Sequence, residues 1–128
     1  MKSLEGKQVL IVDDSPEMLG VVENILNQLG VSRVDNASSG EQALKLINIL
    51  GSRYDVVICD QHMDGMKGID VLKEIRKQFT KEKLPFVMLT SDGTRENIMM
   101  LVSSGGNNFI VKPPSLEVIE EKLNSVLK

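Results

Sequence analysis

Side chains suited to metal and phosphoryl chemistry stand at the ends of four short apolar runs. Asp13 and Asp14 follow Val9-Leu10-Ile11-Val12, and Asp60 follows Val56-Val57-Ile58-Cys59. Thr90 follows Phe86-Val87-Met88-Leu89, and Lys112 follows Phe109-Ile110-Val111. If these runs are parallel strands of one open α/β sheet, their C-terminal ends share one edge, where such folds place their ligand crevice. Three carboxylates, a hydroxyl and an ammonium would then meet in one place, a composition that suits a divalent cation and a phosphoryl group. Mg²⁺ takes a near-octahedral shell of hard oxygens and keeps several waters, so two or three protein ligands suffice. Asp14 and Asp60 are the expected carboxylate ligands, with Asp13 acting directly or through water and the backbone carbonyl of His62 as a further ligand. Asp60 is the expected nucleophile, since a carboxylate attacking phosphorus gives an acyl phosphate. The cation and Lys112 would neutralise the charge that otherwise repels an anionic nucleophile from an anionic phosphoryl group. Thr90 would hydrogen-bond a phosphoryl oxygen once the group is present.

Taken singly, each residue has an ordinary reading. An Asp pair at a turn caps or solvates it, a Thr at a strand end is a turn hydroxyl, and a Lys before Pro is exposed. Cys59 reads as a small buried hydrophobe and His62 as an exposed loop residue. Their coincidence at aligned strand ends favours the chemical reading.

The elements that must position them alternate strand and helix with short connectors, as in stacked βαβ units. Ser15 is a good N-cap and Pro16 suits the first helical position. Met18, Val22, Ile25, Leu26 and Leu29 recur at helical spacing up to Gly30. A weaker, partly polar strand over about Arg33 to Ala37 suits a sheet edge. Ser39 and Gln42 are expected to form a capping box for a helix with Ala43, Leu44, Ile47 and Leu50 inward, closed by Gly51. The third strand is expected over Asp55 to Cys59, buried on both faces. Gly65 and Gly68 break the loop before a helix with Ile69, Leu72, Ile75 and Phe79 inward. The fourth strand is expected to begin at Pro85. The fourth helix, about Thr94 to Ser104, would send Ile98, Leu101 and Val102 to the core. Its Met99-Met100 pair suits an adaptable interface, while the other methionines read as core filler. Gly105-Gly106-Asn107 turns into the last strand. Ser115 caps a final helix with Leu116, Ile119, Leu123 and Val126 inward.

The whole chain of 128 residues reads as a single domain, 1–128, with 41% hydrophobic and 26% charged residues and a formal net charge of −3. That charge argues against non-specific nucleic-acid binding. No run is long enough to span a membrane, and the N-terminus lacks a signal-peptide core, so a cytoplasmic location is expected. One cysteine and one histidine cannot build a zinc site, which leaves an oxygen-liganded metal.

Over nearly its full length the sequence resembles a response-regulator receiver domain. The matching pieces are Val9 to Ser15, Asp60 to Gly68, Leu89-Thr90-Ser91 and Phe109 to Pro113. The resemblance implies a flavodoxin-like, doubly wound, five-stranded parallel sheet of order 2-1-3-4-5 with five helices. It also implies that Asp60 receives a phosphoryl group from the phosphohistidine of a sensor histidine kinase, with Mg²⁺ near Asp13 and Asp14. Thr90 and Phe109 would act as a coupled switch: the hydroxyl moves toward the phosphoryl, and the ring rotates inward. That would remodel the face of helix four, strand five and helix five, where partners of this family often dock. His62 and Asp92, two positions beyond Asp60 and Thr90, would set the lifetime of the phosphorylated state. Two positions depart from the family pattern: Asp64 stands where Pro is frequent, and Pro114 stands where an aromatic is usual.

Gly105 to Lys112 is similar to the chemotaxis subgroup. Output is expected to pass through a separate protein rather than a domain after the final helix, with a flagellar motor switch as one candidate. A phosphorelay intermediate or phosphate sink, or a receiver from a longer regulator, is compatible with the same residues. A phosphohydrolase with an aspartyl-phosphate intermediate fits less well, because such enzymes generally carry an acid two positions after the nucleophile and this chain has His62. A flavodoxin-like cofactor binder fits poorly too, since Asp13-Asp14 would repel its phosphate. The chain is therefore expected to be a phosphoacceptor signalling domain and not an enzyme with turnover.

Overall fold

The computed structural model describes residues 3–127; Met1, Lys2 and Lys128, the ends of the expected 1–128 domain, lie outside the described residues. Five strands run β1 (Gln8–Val12), β2 (Arg33–Ala37), β3 (Val56–Asp60), β4 (Phe86–Thr90) and β5 (Asn108–Val111). Between and after them come α1 (Pro16–Gln28), α2 (Gly40–Leu50), α3 (Gly68–Ile75), α4 (Arg95–Ser103) and α5 (Leu116–Val126). The strands are all parallel in the order β2-β1-β3-β4-β5, as expected.

Strand periodicity divides the core between the two faces of the sheet. Leu10, Val12, Val57, Cys59, Phe86 and Met88 meet Ala43, Ile47, Val71, Leu72, Ile75 and Leu101, which places α2, α3 and α4 on one face. Val9, Ile11, Val56, Ile58, Val87, Leu89 and Ile110 meet Val22, Ile25, Leu26, Ile119 and Leu123, which places α1 and α5 on the other. With helices on both faces, the central strands can be apolar at every position, and every residue of β3 and β4 is buried.

Several boundaries differ from the sequence reading. Asp55 precedes β3: its carboxylate accepts the Gln8 N–H at 2.8 Å, and its own N–H donates to Gln8 O at 2.8 Å. Asp60 is therefore the last residue of β3 rather than the one after it. Pro85 likewise precedes β4. Gly51 ends α2 but opens a 3-10 turn over Gly51–Arg53. Only half of the expected capping box forms. The Gln42 N–H donates to Ser39 Oγ at 3.1 Å, but Gln42 Oε1 reaches one residue further back, to the Ser38 N–H at 2.6 Å. In α4 only Leu101 is fully buried, and Val102 is 65% exposed instead of facing the core. The helix lies at the β5 edge of the sheet, where a narrow stripe suffices to seat it. Met99 and Met100 are exposed as expected, and Met63 and Met88 are core residues.

One residue unremarked in the sequence organises the end of the sheet opposite the site. Arg76, at the C-terminus of α3, donates from Nε to Gly105 O (2.8 Å), from Nη1 to Leu84 O (2.9 Å) and from Nη2 to Asn107 Oδ1 (3.1 Å). Asn107 Oδ1 also accepts the Phe86 N–H at 2.9 Å. A Cβ on Gly105, whose φ is +91°, would come within 3.0 Å of Arg76 Nε, so the glycine serves both the turn and the close approach. Burial pulls the guanidinium pKa below its ordinary value. Arg76 thereby ties together the loops that launch β4 and β5. Arg76→Met is expected to cost about 2–4 kcal/mol, because charged hydrogen bonds are lost and carbonyls are stranded. Arg76→Lys should recover only part of this, since an ammonium cannot span the three acceptors. Urea denaturation of both variants checks the ranking.

Candidate functional site

Strand register brings the chemical residues together. Val12 pairs with Cys59, so Asp13 and Asp60 are the next residues on adjacent strands. Asp60 pairs with Leu89, which places Thr90 one step further along, and Thr90 pairs with Val111, immediately before Lys112. Asp13, Asp14 and Asp60 each offer a carboxylate oxygen within 4.8 Å of the others. Asp13 and Asp60 are buried at 3% exposure each, whereas Asp14 is exposed.

Lys112 Nζ lies 3.1 Å from Asp60 Oδ1 and 3.5 Å from Asp13 Oδ2. Asp13 Oδ1 accepts the Ser15 N–H at 3.0 Å, while Asp13 Oδ2 is buried with no hydrogen-bond partner. The 3.5 Å separation counts as an ion pair but is long for a hydrogen bond. Burial pushes the Asp13 carboxyl above its ordinary value. The Ser15 amide works against that, the Asp60 charge adds to it, and Lys112 again opposes it. A buried carboxylate oxygen without a donor, facing two further carboxylates, is what a hard divalent cation would complete. The residues present therefore fit the Mg²⁺ expected from sequence.

The loop after β3 closes over this cluster. The His62 N–H donates to Asp60 Oδ1 at 3.3 Å, and the Asp64 N–H donates to Asp14 Oδ2 at 3.1 Å. A proline at position 64 could not make the second bond. Gly68 opens α3 directly beneath the loop. A Cβ there would lie 2.5 Å from Asp60 O, so any other residue would displace the backbone of Asp60. Gln61 Oε1 accepts the Ile69 N–H at 2.9 Å and fastens the start of α3 to the loop. The sequence reading took Gly68 only as a loop breaker and passed over Gln61. A glycine at the first turn of a helix was the available signal.

Thr90 is buried at the site's edge, but its hydroxyl is engaged elsewhere. Thr90 Oγ1 accepts the Asp92 N–H at 3.0 Å and donates to Asp92 O at 3.3 Å. Asn97 Nδ2 donates to the same carbonyl at 3.1 Å, an unforeseen clamp on this loop. Asp92 Oδ1 accepts the Thr94 N–H at 3.1 Å, where α4 begins. His62 is exposed, with its backbone N–H on Asp60. Phe109 is half-buried on β5, against the core on the α4 side. The Lys112–Pro113 peptide is cis. Cys59 is wholly buried, and burial drives its thiol pKa well up, as expected for an inert core thiol.

Residues 9–124 match the response regulator receiver domain family. The chain is 36% identical over 124 residues to the chemotaxis protein CheY-3 of Vibrio cholerae, covering 97% of this chain and 94% of that protein. It is 31% identical over 121 residues to the chemotaxis protein CheY of Pseudomonas aeruginosa, covering 94% and 96%. Among solved structures, the CheY in the CheX-CheY-BeF3-Mg complex of Borrelia burgdorferi superposes with a TM-score of 0.90 at 27% identity, covering 97% of this chain and 91% of that one. A doubly wound sheet with an acidic pocket at its C-terminal edge defines a phosphoacceptor module of the CheY type. The chain belongs to the response regulator receiver domain family of two-component signalling.

Proposed function

We propose that Asp60 is the phosphoacceptor and that the chain, as one receiver domain over 1–128, takes a phosphoryl group from the phosphohistidine of a sensor histidine kinase. One observation carries this reading: Lys112 Nζ stands 3.1 Å from Asp60 Oδ1, beside a triad of carboxylates within 4.8 Å. An Asp60 carboxylate oxygen attacks phosphorus, the P–N bond of the donor breaks, and its electron pair returns to the imidazole nitrogen. Lys112 offsets charge on the phosphoryl oxygens as they pass through the transition state. Asp13, Asp14, Asp60 and the His62 carbonyl would hold Mg²⁺, which supplies further charge neutralisation when bound. Receiver domains bind Mg²⁺ at an acidic site, which supports this assignment.

Thr90 leaves Asp92 to bond the phosphoryl oxygen, and Phe109 moves with it. The phosphoryl group biases this equilibrium only through contacts made in one state, and the Thr90 hydroxyl is such a contact. Output passes through a separate protein that docks on α4, β5 and α5, where Met99, Val102, Val111 and Val118 are exposed. The apolar character of that face supports a docking role over that of a simple phosphate sink. No helix among the described residues is long and apolar enough to cross a membrane, which is compatible with a cytoplasmic site of action.

His62 and Asp92 tune the lifetime of the acyl phosphate: their amides, on Asp60 Oδ1 and Thr90 Oγ1, hold the two residues beside the site, and their side chains flank the path by which water reaches it. Exchanging either side chain is expected to change the dephosphorylation rate after donor removal; unaltered rates for both would refute this role. The phosphoacceptor reading is tested by intact-protein mass spectrometry after incubation with acetyl phosphate, with Mg²⁺ and with a chelator. A single phosphoryl adduct that needs the metal supports it. No adduct from acetyl phosphate or from a phosphorylated histidine kinase would sink it.

A further inference from the structure

The β5 edge carries an arrangement that the phosphoryl chemistry leaves unexplained. As the outer strand, β5 leaves the Phe109 N–H without a ladder partner, and Asn108 Oδ1 accepts it at 2.9 Å. Asn108 Nδ2 in turn donates to Ser125 Oγ on α5 at 3.2 Å. One turn before Ser125, Lys122 places its Nζ 5.0 Å from the centroid of the Phe109 ring. Glu120 and Glu121 are close in sequence, yet Lys122 forms no ion pair among the described residues. Its charge is directed at the ring face, within the range of a cation–π contact. In this same structure the Thr90 hydroxyl is bonded to both backbone groups of Asp92.

We propose that Lys122 is a positioning residue of the switch, holding the Phe109 ring in its present place by a cation–π contact and so biasing the free protein against the phosphoryl-bound arrangement. This rests on the reading of Thr90 and Phe109 as coupled. A ring that leaves its position gives up the contact, so Lys122 stabilises one state only. The apparent affinity for a phosphoryl mimic scales with the fraction of molecules in the competent state. Removing the cation raises that fraction, and the strength of a partly exposed cation–π pair sets the gain at roughly two- to five-fold.

Beryllofluoride with Mg²⁺ is the probe, titrated into the full chain and followed by ¹H–¹⁵N NMR. Lys122→Met should bind it roughly two- to five-fold more tightly than the wild type, and Lys122→Arg, which keeps a cation over the ring, should bind near wild-type strength. In a Phe109→Leu background, Lys122→Met should have no further effect, because the cycle isolates the pair. Equal or weaker binding by Lys122→Met overturns the proposal, as does a gain that persists undiminished without the Phe109 ring. Failure of the wild type to bind beryllofluoride would overturn the phosphoacceptor reading itself, and the proposal with it. Binding that is unchanged by Lys122→Met would remove the Lys122 role alone.

Discussion

Asp60→Asn is expected to form no phosphoryl adduct with acetyl phosphate and Mg²⁺, at any incubation time that saturates the wild type. The amide lacks an anionic oxygen to attack phosphorus, and among the described residues no other carboxylate lies as close to Lys112. Asp13 Oδ2 is 3.5 Å from that ammonium and Asp60 Oδ1 is 3.1 Å. Asp14 is exposed and tied to the Asp64 amide. Lys112→Met should retain the nucleophile but lose the fixed cation, and removing one such preorganised charge lowers phosphorylation about 10²–10³-fold. The two variants therefore separate nucleophile from electrostatic stabiliser: the first gives no product, the second a slow one. Intact-mass time courses with peptide mapping of the adduct would check both. An adduct on Asp60→Asn at wild-type rate would move the phosphoacceptor to another residue.

The second large effect is on stability. Without a divalent cation, Asp13 is a buried carboxylate whose folded pKa is raised, chiefly by burial. The folded state then holds this proton more tightly than the unfolded chain. Stability consequently falls as pH rises from the ordinary carboxylate value through the raised folded one, and the full deficit persists above it. Asp13→Asn keeps an acceptor for the Ser15 N–H while removing the charge. In metal-free buffer at neutral pH it should therefore stabilise the protein, because the charge whose burial raises the Asp13 pKa is gone. It should also flatten the stability profile on the rising side of the carboxylate range.

Mg²⁺ should reverse the ranking. A ligand at a hundred times its dissociation constant stabilises the folded state by about 2.7 kcal/mol. For a chain of this size each kcal/mol raises Tm by about 3–5 °C. The wild type should show this rise and Asp13→Asn a much smaller one. Thermal melts across pH, with Mg²⁺ and with a chelator, provide the check. A wild-type melt that Mg²⁺ does not move would remove the cation from this site.

Much of this is legible in the sequence. The apolar runs of β1, β3 and β4 have few conformational options once helical periodicity is excluded, and parallel order follows from the helices between them. That logic put Asp13, Asp60, Thr90 and Lys112 on one edge, because in a parallel sheet every strand end with a chemical residue points the same way. Capping was legible at Ser15 and Ser115, where a short hydroxyl satisfies a local amide. It failed at Gln42, whose longer side chain had a choice between two adjacent amides.

Residue chemistry and strand periodicity are local properties, so the sequence alone determined the sheet, the acidic edge and the identity of the phosphoacceptor candidate. Distances between segments far apart in the chain are not local, and only the tertiary structure decided them. Arg76 drew no notice in the sequence, yet the β4 and β5 loops close around it. Val102 matched the helical stripe, yet the position of α4 at the sheet edge left it in solvent. The bond from the Asp64 amide to Asp14 and the stand of Lys122 over Phe109 join residues 50 and 13 positions apart, and no spacing rule anticipates either. Such contacts arise when packed helices fix the direction of a side chain, and it is they that determine which oxygen faces the lysine, which carboxylate stays unpaired and which way the Thr90 hydroxyl points.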